Sequence, residues 1–255
     1  MTFYKTYREI ISGYQNNQKS RFDHEYYLYA IYRYLSFPLT AFLIKLKFTA
    51  DTVTIFRSVT LLICFGLILL GQYTYMVTGA LVFLFAYILD FVDGNIARFN
   101  NTSNYYGKFI DGLVDSFVCG LFIFSTIGNI RSGHTLFSIR TEMFMGVTTA
   151  FASLWIQYFR IRVAYFVNQS QTHSAPNHEM PSKPKAWWHK TMAYFYSMTK
   201  QLSVSTPIAL IILCPLNLLS VFNAVFFAIY LPMALGEGAM TIWNLKNTLR
   251  IEREY

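Results

Sequence analysis

Long apolar runs, several of them interrupted by almost no charge, constrain this chain more than any other feature. Five follow one another after residue 50: about 52–70, 76–98, 104–129, 142–167 and 202–245. The last is too long for one helix and is divided by Pro215-Leu216-Asn217, a turn signal, into about 203–215 and 218–244. Runs of this length and polarity read as membrane-spanning helices, each needing roughly 20 apolar residues. The fifth, 203–215, is short for a crossing and would extend backward into Met192–Gln201. The expected fold is an all-α integral membrane protein with six transmembrane helices. A basic, aromatic segment, about 26–48, precedes them, broken by Arg33, Pro38, Lys45 and Lys47; it reads as an amphipathic interfacial helix. The expected organisation is therefore an N-terminal segment with its interfacial helix, 1–48, and a catalytic six-helix bundle, 49–255.

Composition agrees. Only 13% of the 255 residues are charged, and 43 are Phe or Tyr, whereas a soluble domain carries about 25% charge. A disordered chain, a disulfide-stapled module and an ordinary soluble enzyme are disfavoured. The net charge of +8 is read as cytoplasmic loops against anionic lipid, and not as nucleic-acid binding. With both termini in the cytoplasm, only Arg131 and Arg140 of the 21 basic residues fall outside, as the positive-inside rule requires. Cys64, Cys119 and Cys214 each sit within an apolar run and read as packing residues. The longest inner loop, about 168–200, reads as a polar connector with a Trp187-Trp188 anchor.

Against that background four acids stand out. Asp90, Asp93, Asp111 and Asp115 lie within 26 residues of two adjacent spans. At bilayer depth each costs about 2.5–3.5 kcal/mol on insertion scales, so a cluster of them marks a functional site. Helical geometry puts Asp93 about 60° from Asp90, Gly94 about 40° on the other side and Ala97 about 20° away, all on one face. Gly107, Asp111 and Asp115 are spaced by four and form a second stripe. The short loop from Phe99 to Ser103 makes the two helices antiparallel neighbours, so the stripes face each other near the cytoplasmic end. Four carboxylates at one place need protons or cations. An oxygen-only donor set points to Mg²⁺, Mn²⁺ or Ca²⁺, a pair of which would hold a diphosphate. Gly94, Ala97 and Gly107 leave space beside the acids, and Arg98 at the membrane edge would clamp phosphate oxygens.

The run Asp90-Phe-Val-Asp93-Gly94-Asn-Ile-Ala97-Arg98, eight residues, Gly107, three residues, Asp111, three residues, Asp115 resembles the signature of the CDP-alcohol phosphotransferases, D-x2-D-G-x2-A-R-x8-G-x3-D-x3-D, at all eight specified positions. The resemblance implies a divalent-metal-dependent transferase that moves a phospho-alcohol group from a CDP-alcohol onto an acceptor hydroxyl and releases CMP. It implies Mg²⁺ or Mn²⁺ as a pair of ions held by Asp90, Asp93 and Asp111, with Asp115 as general base and a further metal ligand. Gly94, Ala97, Arg98 and Gly107 would line the CDP site, and a homodimer is implied as well. Phe48–Thr54 is similar to the start of the family's first span, often T-P-N-x-x-T, with Ala50 and Asp51 in place of Pro and Asn; Thr54 would reach the nucleotide. Asp51 also reads as the N-cap of a helix starting at Thr52.

CDP-diacylglycerol is the favoured donor, in phospholipid synthesis, with a CDP-choline or CDP-ethanolamine type acting on a lipid acceptor as the alternative. Lys108, Arg160 and Arg162 are candidate cations for a charged acceptor. Ser116 stands where inositol-phosphate enzymes of the family usually carry Arg, which disfavours that acceptor. A cation- or proton-coupled transporter would also need membrane acids but not the Gly-x2-Ala-Arg pattern. Glu237, between Gly236 and Gly238, is expected to face the interior and pair with a polar group or an Arg, Arg57 being a candidate.

Overall fold

A polypeptide that passes through hydrocarbon must satisfy its own backbone hydrogen bonds, and a helix does so within one segment. The computed structural model describes residues 3–15, 27–102, 105–173 and 186–253, and all regular structure among them is helical. The helices are α1 (Phe3–Gln15), α2 (Tyr27–Lys45), α3 (Ala50–Leu69), α4 (Tyr73–Phe99), α5 (Tyr105–Val118), α6 (Gly120–Ser132), α7 (Ile139–His173), α8 (Ala186–Leu213) and α9 (Leu219–Arg253). Each of the six runs read from the sequence lies on this framework, the third as α5 and α6 in succession.

Among the described residues four stretches are long and apolar enough to cross a membrane: Ala50–Leu69, Tyr73–Phe99, Phe109–Ser132 and Leu219–Trp243. The apolar part of α8, Lys200–Leu213, is shorter. Helix α7 is long, but Thr148, Thr149, Ser153 and Gln157 dilute its apolar content. Helix α8 extends backward past Gln201, as expected for the fifth run. The loop expected over 168–200 is a correction: α7 runs on to His173 and α8 begins at Ala186. Pro176, Pro181 and Pro184 all fall in the intervening 174–185, which lies outside the described residues; α7 itself contains no Pro to stop it.

Helix α3 packs along α4, and α7 along α9. Between them lies a core of Leu61, Phe65, Phe83, Phe122, Phe222 and Phe226, and all three cysteines are buried and unpaired. Residues on the outer faces remain apolar though exposed: Ile55, Val59 and Leu62 on α3, Phe109, Leu113 and Phe117 on α5, and Phe144, Val147 and Phe151 on α7. Apolar patches of this extent face lipid. Two glycines fix the turn between α3 and α4 and its seat on α6. Gly71 has φ 73°, and a Cβ there would meet the Arg131 Cβ at 2.5 Å. A Cβ on Gly128 would collide with the Ile68 carbonyl oxygen, so α3 and α6 touch backbone to backbone. The predicted turn after α8 is present, with Asn217 at φ 55°.

Helix α2 buries polar and apolar residues together: Arg33, Ser36 and Thr40 lie inside beside Tyr32, Phe37 and Ala41, while Ile31, Leu35 and Phe42 are exposed. Arg33 therefore does not interrupt an apolar surface; it points into the protein, where Nη1 donates to Asn95 Oδ1 at 3.3 Å and the guanidinium lies 4.9 Å from the Phe91 ring centre. The start of α3 also differs from expectation. Thr49, not Asp51, is the N-cap: its backbone is extended and its Oγ1 accepts from the Thr52 N–H at 3.3 Å. Asp51 lies in the first turn, where a carboxylate still favours the helix dipole.

Candidate active site

Three helices build the site. Helix α4 supplies Asp90 and Asp93 one turn apart, α5 supplies Asp111 and Asp115 one turn apart, and α3 supplies Thr54 and Arg57 one turn apart. The turn after α4 reverses the chain: Asn101 adopts φ 53°, and the Thr102 N–H donates to the Ala97 carbonyl at 2.9 Å. The two acidic stripes read from the sequence do meet. One oxygen from each of Asp90, Asp93 and Asp111 lies within 4.8 Å of the others.

Arg57 sits in the midst of these acids. Its Nη1 is 2.6 Å from Asp90 Oδ1 and 2.9 Å from Asp111 Oδ1, and its Nη2 is 2.5 Å from Asp115 Oδ1. The arginine side chain is 3% exposed, whereas those of Asp90, Asp111 and Asp115 are 25%, 44% and 48% exposed. The cation is thus sealed behind carboxylates that remain reachable from outside. One guanidinium cannot neutralise four carboxylates, so the cluster keeps a net demand for positive charge. Three oxygen donors at this separation suit a hard divalent ion in both chemistry and spacing. Asp115 is not part of that trio; it extends the stripe by a turn.

Arg57, the candidate partner for Glu237, pairs instead with Asp90, Asp111 and Asp115. Arg57 follows Thr54 by one turn on the face of α3 that meets α4 and α5, so its guanidinium reaches their acids. Glu237 does face the interior, at 4% exposure. Thr54, expected at the nucleotide, donates from Oγ1 to Asp93 Oδ2 at 2.9 Å and so orients one of the trio. Gly94 leaves room for Arg98, whose guanidinium nitrogens approach to 3.4 Å of where a Cβ would be. Arg98 Nη2 donates to Asn95 Oδ1 at 2.7 Å, and Asn95 Nδ2 in turn donates to Ser36 Oγ at 2.9 Å and Thr40 Oγ1 at 3.3 Å. Ala97 and Gly107 are half-buried on the facing helices. Among the acceptor candidates, Arg162 is exposed and donates from Nε to Tyr158 Oη at 2.9 Å; the side chains of Lys108 and Arg160 lie outside the described part.

Sequence reasoning missed the central place of Arg57 and the role of Asn95. A signal for the first was available: a lone cation inside the apolar stretch 52–70 needs an acid partner, and the next two spans hold four.

The family model for CDP-alcohol phosphatidyltransferases matches residues 47–236, most of the chain and all three site helices. The chain belongs to the CDP-alcohol phosphatidyltransferase family. It is a transferase of the class that moves a phospho-alcohol group out of a CDP-alcohol, and its apolar helices place it in a membrane. A search of curated proteins returned no match.

Proposed function

We propose that this transferase uses CDP-diacylglycerol as donor, transfers its phosphatidyl group to the hydroxyl of an acceptor alcohol, and releases CMP, in phospholipid synthesis. The observation that carries this reading is the convergence of Asp90, Asp93 and Asp111 oxygens within 4.8 Å, on helices covered by the family match. In the proposed arrangement those three residues hold a pair of Mg²⁺ or Mn²⁺ ions, to which Asp115 also contributes. Divalent ions held by these residues would supply charge neutralisation of the diphosphate and Lewis-acid activation of the phosphorus.

The chain's own residues do the rest. Thr54 holds Asp93 in place. Arg57 holds Asp90, Asp111 and Asp115 in register. Gly94, Ala97, Arg98 and Gly107 receive the CDP moiety, Arg98 with its guanidinium at the phosphates. Asp115 accepts the proton of the acceptor hydroxyl. The acceptor oxygen bonds to the phosphorus that carries the lipid, the bond from that phosphorus to the CMP oxygen breaks, and CMP leaves as the anion.

The same reading places the site at the cytoplasmic face with both termini inside, six membrane crossings, α2 as an interfacial helix with its apolar face in lipid, an N-terminal unit 1–48 beside the bundle 49–255, and a homodimer. The distribution of basic residues supports the orientation, and the apolar outer face of α2 supports its interfacial position. The test is CMP release by purified protein in detergent from CDP-diacylglycerol and a panel of alcohols, with and without a chelator. Metal-dependent CMP release is expected. Release only from CDP-choline or CDP-ethanolamine with a diacylglycerol acceptor would replace the donor assignment, and ion flux in liposomes with no CMP from any donor would overturn the reaction.

A further inference from the structure

Asn95 lies on α4 between the acids and Arg98, and at 5% exposure both ends of its amide are engaged. Its Oδ1 accepts from Arg98 Nη2 at 2.7 Å and from Arg33 Nη1 at 3.3 Å. Its Nδ2 donates to Ser36 Oγ at 2.9 Å and to Thr40 Oγ1 at 3.3 Å. A side-chain amide has two donor hydrogens and one oxygen with two lone pairs, so its capacity is filled. Helix α2 dictates which way that amide faces. Ser36 Oγ donates to the Arg33 carbonyl at 2.7 Å, and Thr40 Oγ1 donates to the Ser36 carbonyl at 2.8 Å. Each hydroxyl has committed its single proton and can only accept from Asn95. The amide nitrogen must therefore face α2, which turns the oxygen toward the two guanidiniums.

Arg98 needs a fixed partner, because a long side chain loses much rotamer freedom when it is held in one place. Its guanidinium folds back over the preceding turn, with nitrogens 3.4 Å from where a Cβ would stand on Gly94, the residue after Asp93. Gly94 supplies the space and Asn95 the anchor. Helix α2 is itself firmly seated on α4: Tyr29 and Tyr32 pack on Phe91 with ring centres 5.0 and 6.2 Å apart, and the Arg33 guanidinium covers the same ring. Arg33, Ser36 and Thr40 all precede residue 47, where the family match begins. The support for Arg98 thus comes from this chain's N-terminal segment and not from the matched region.

We propose that Asn95 is a positioning residue for the donor: it carries the register of α2 to the Arg98 guanidinium and holds that group where the phosphates of a cytidine diphosphate donor arrive. The inference rests on the reading of Arg98 as part of the CDP site. It gives α2 a share in donor binding besides its seat in the membrane. A guanidinium fixed in advance need not be ordered by the donor. Loss of the anchor therefore falls on donor affinity and not on the rate of the bound complex.

Full-length protein in lipid nanodiscs with Mg²⁺ tests this. Affinity for CDP is read from the dependence of the melting temperature on CDP concentration. The KM for CDP-diacylglycerol is read from CMP release with sn-glycerol 3-phosphate, L-serine or glycerol as acceptor. Asn95→Leu should weaken CDP binding and raise the donor KM about tenfold, with kcat within about threefold. Arg98→Met should lose at least as much affinity. In the Arg98→Met background, Asn95→Leu should add less than about twofold, because residues that act as a unit are not additive. Ser36→Ala with Thr40→Val leaves Asn95 in place and removes both acceptors from its nitrogen. That pair should give a smaller loss of about threefold, also absent without Arg98, and it decides the matter if Asn95→Leu does not fold. Wild-type CDP affinity in Asn95→Leu beside an impaired Arg98→Met would overturn the positioning role alone. Equal losses with and without Arg98 would overturn it too, since Asn95 would then act on the fold and not through Arg98. Wild-type affinity in Ser36→Ala with Thr40→Val would overturn the part given to α2. Wild-type affinity in Arg98→Met would overturn the reading of Arg98, and this inference with it. Absence of CMP with every acceptor would overturn the proposed substrates, while the CDP affinities would still decide the place of Asn95.

Discussion

Acids occupy both ends of this bundle, and their surroundings differ. At the end where α4 turns into α5, Asp90, Asp111 and Asp115 leave a quarter to a half of each side chain open and share one buried guanidinium. At the other end, Glu142 in the first turn of α7 is fully buried. Its Oε1 accepts from Oγ of Ser220 on α9, and that same Oγ accepts from Asn129 Nδ2 on α6 at 2.8 Å and from the Leu136 N–H at 3.0 Å. Nearby, Ser125 Oγ donates to Asn223 Oδ1 at 2.9 Å. One cluster leaves oxygens reachable and retains excess negative charge. The other turns its donors and acceptors inward and ties three helices together. Intramembrane acid alone therefore does not distinguish the two ends; reachable oxygens gathered around a shared cation do.

The sharpest way to break this contrast is Asp93→Asn. Loss of one oxygen ligand from the trio should lower CMP release by about 10³-fold or more, the equivalent of roughly 4 kcal/mol in the barrier. The melting temperature should hold or rise, because a buried charge disappears. Turnover near the wild-type rate would show that the open cluster is not the reacting one. Arg57→Ala should come next. It removes the cation from a buried ion-pair network and should cost about 3–5 kcal/mol of stability, read by thermal denaturation in detergent, with Mg²⁺ restoring part of it. If Arg57→Ala is as stable as wild type without divalent ions, the shared guanidinium does not hold the acids.

Glu142→Ala probes the other end. It should cost about 1–3 kcal/mol of stability, the price of leaving buried hydrogen-bond partners unmet, while CMP release per folded molecule stays within twofold. A large loss of specific activity would erase the distinction between the two ends. Asp115→Asn should lower kcat with little change in donor KM; equal loss of donor binding would make Asp115 chiefly a metal ligand. Smallest of all, Arg162→Ala, at the surface, should shift stability by no more than about 0.5 kcal/mol.

Much of the carboxylate site was legible because its information is local. Asp90 and Asp93, or Asp111 and Asp115, share a face by helical spacing alone, and a loop of a few residues brings the two faces together. The positions of the apolar helices were legible for the same reason. Arg57 entered only as a candidate partner for Glu237. Periodicity says that a residue faces inward, not which of several inward-facing acids it meets. The N-cap moved from Asp51 to Thr49 because both residue types can cap, and only the backbone angle at Thr49 decides between them. Glu142, Asn129 and Ser220 gave no shared signal, being 91 residues apart at the extremes. A cavity with Phe83, Val118, Phe122, Ser153, Thr206 and Tyr230 in its wall was invisible for a related reason, since six separate helices supply it.

By itself, then, the sequence determined an all-helical membrane protein and the two facing acidic stripes, because apolar run length and the 3.6-residue period are properties of single segments. Tertiary structure alone decided which cation compensates the acids, which acid ties helices together, and where a cavity remains among the helices. Those outcomes depend on the rotation and depth at which helices distant in the chain pack, and packing between distant segments has no period to read.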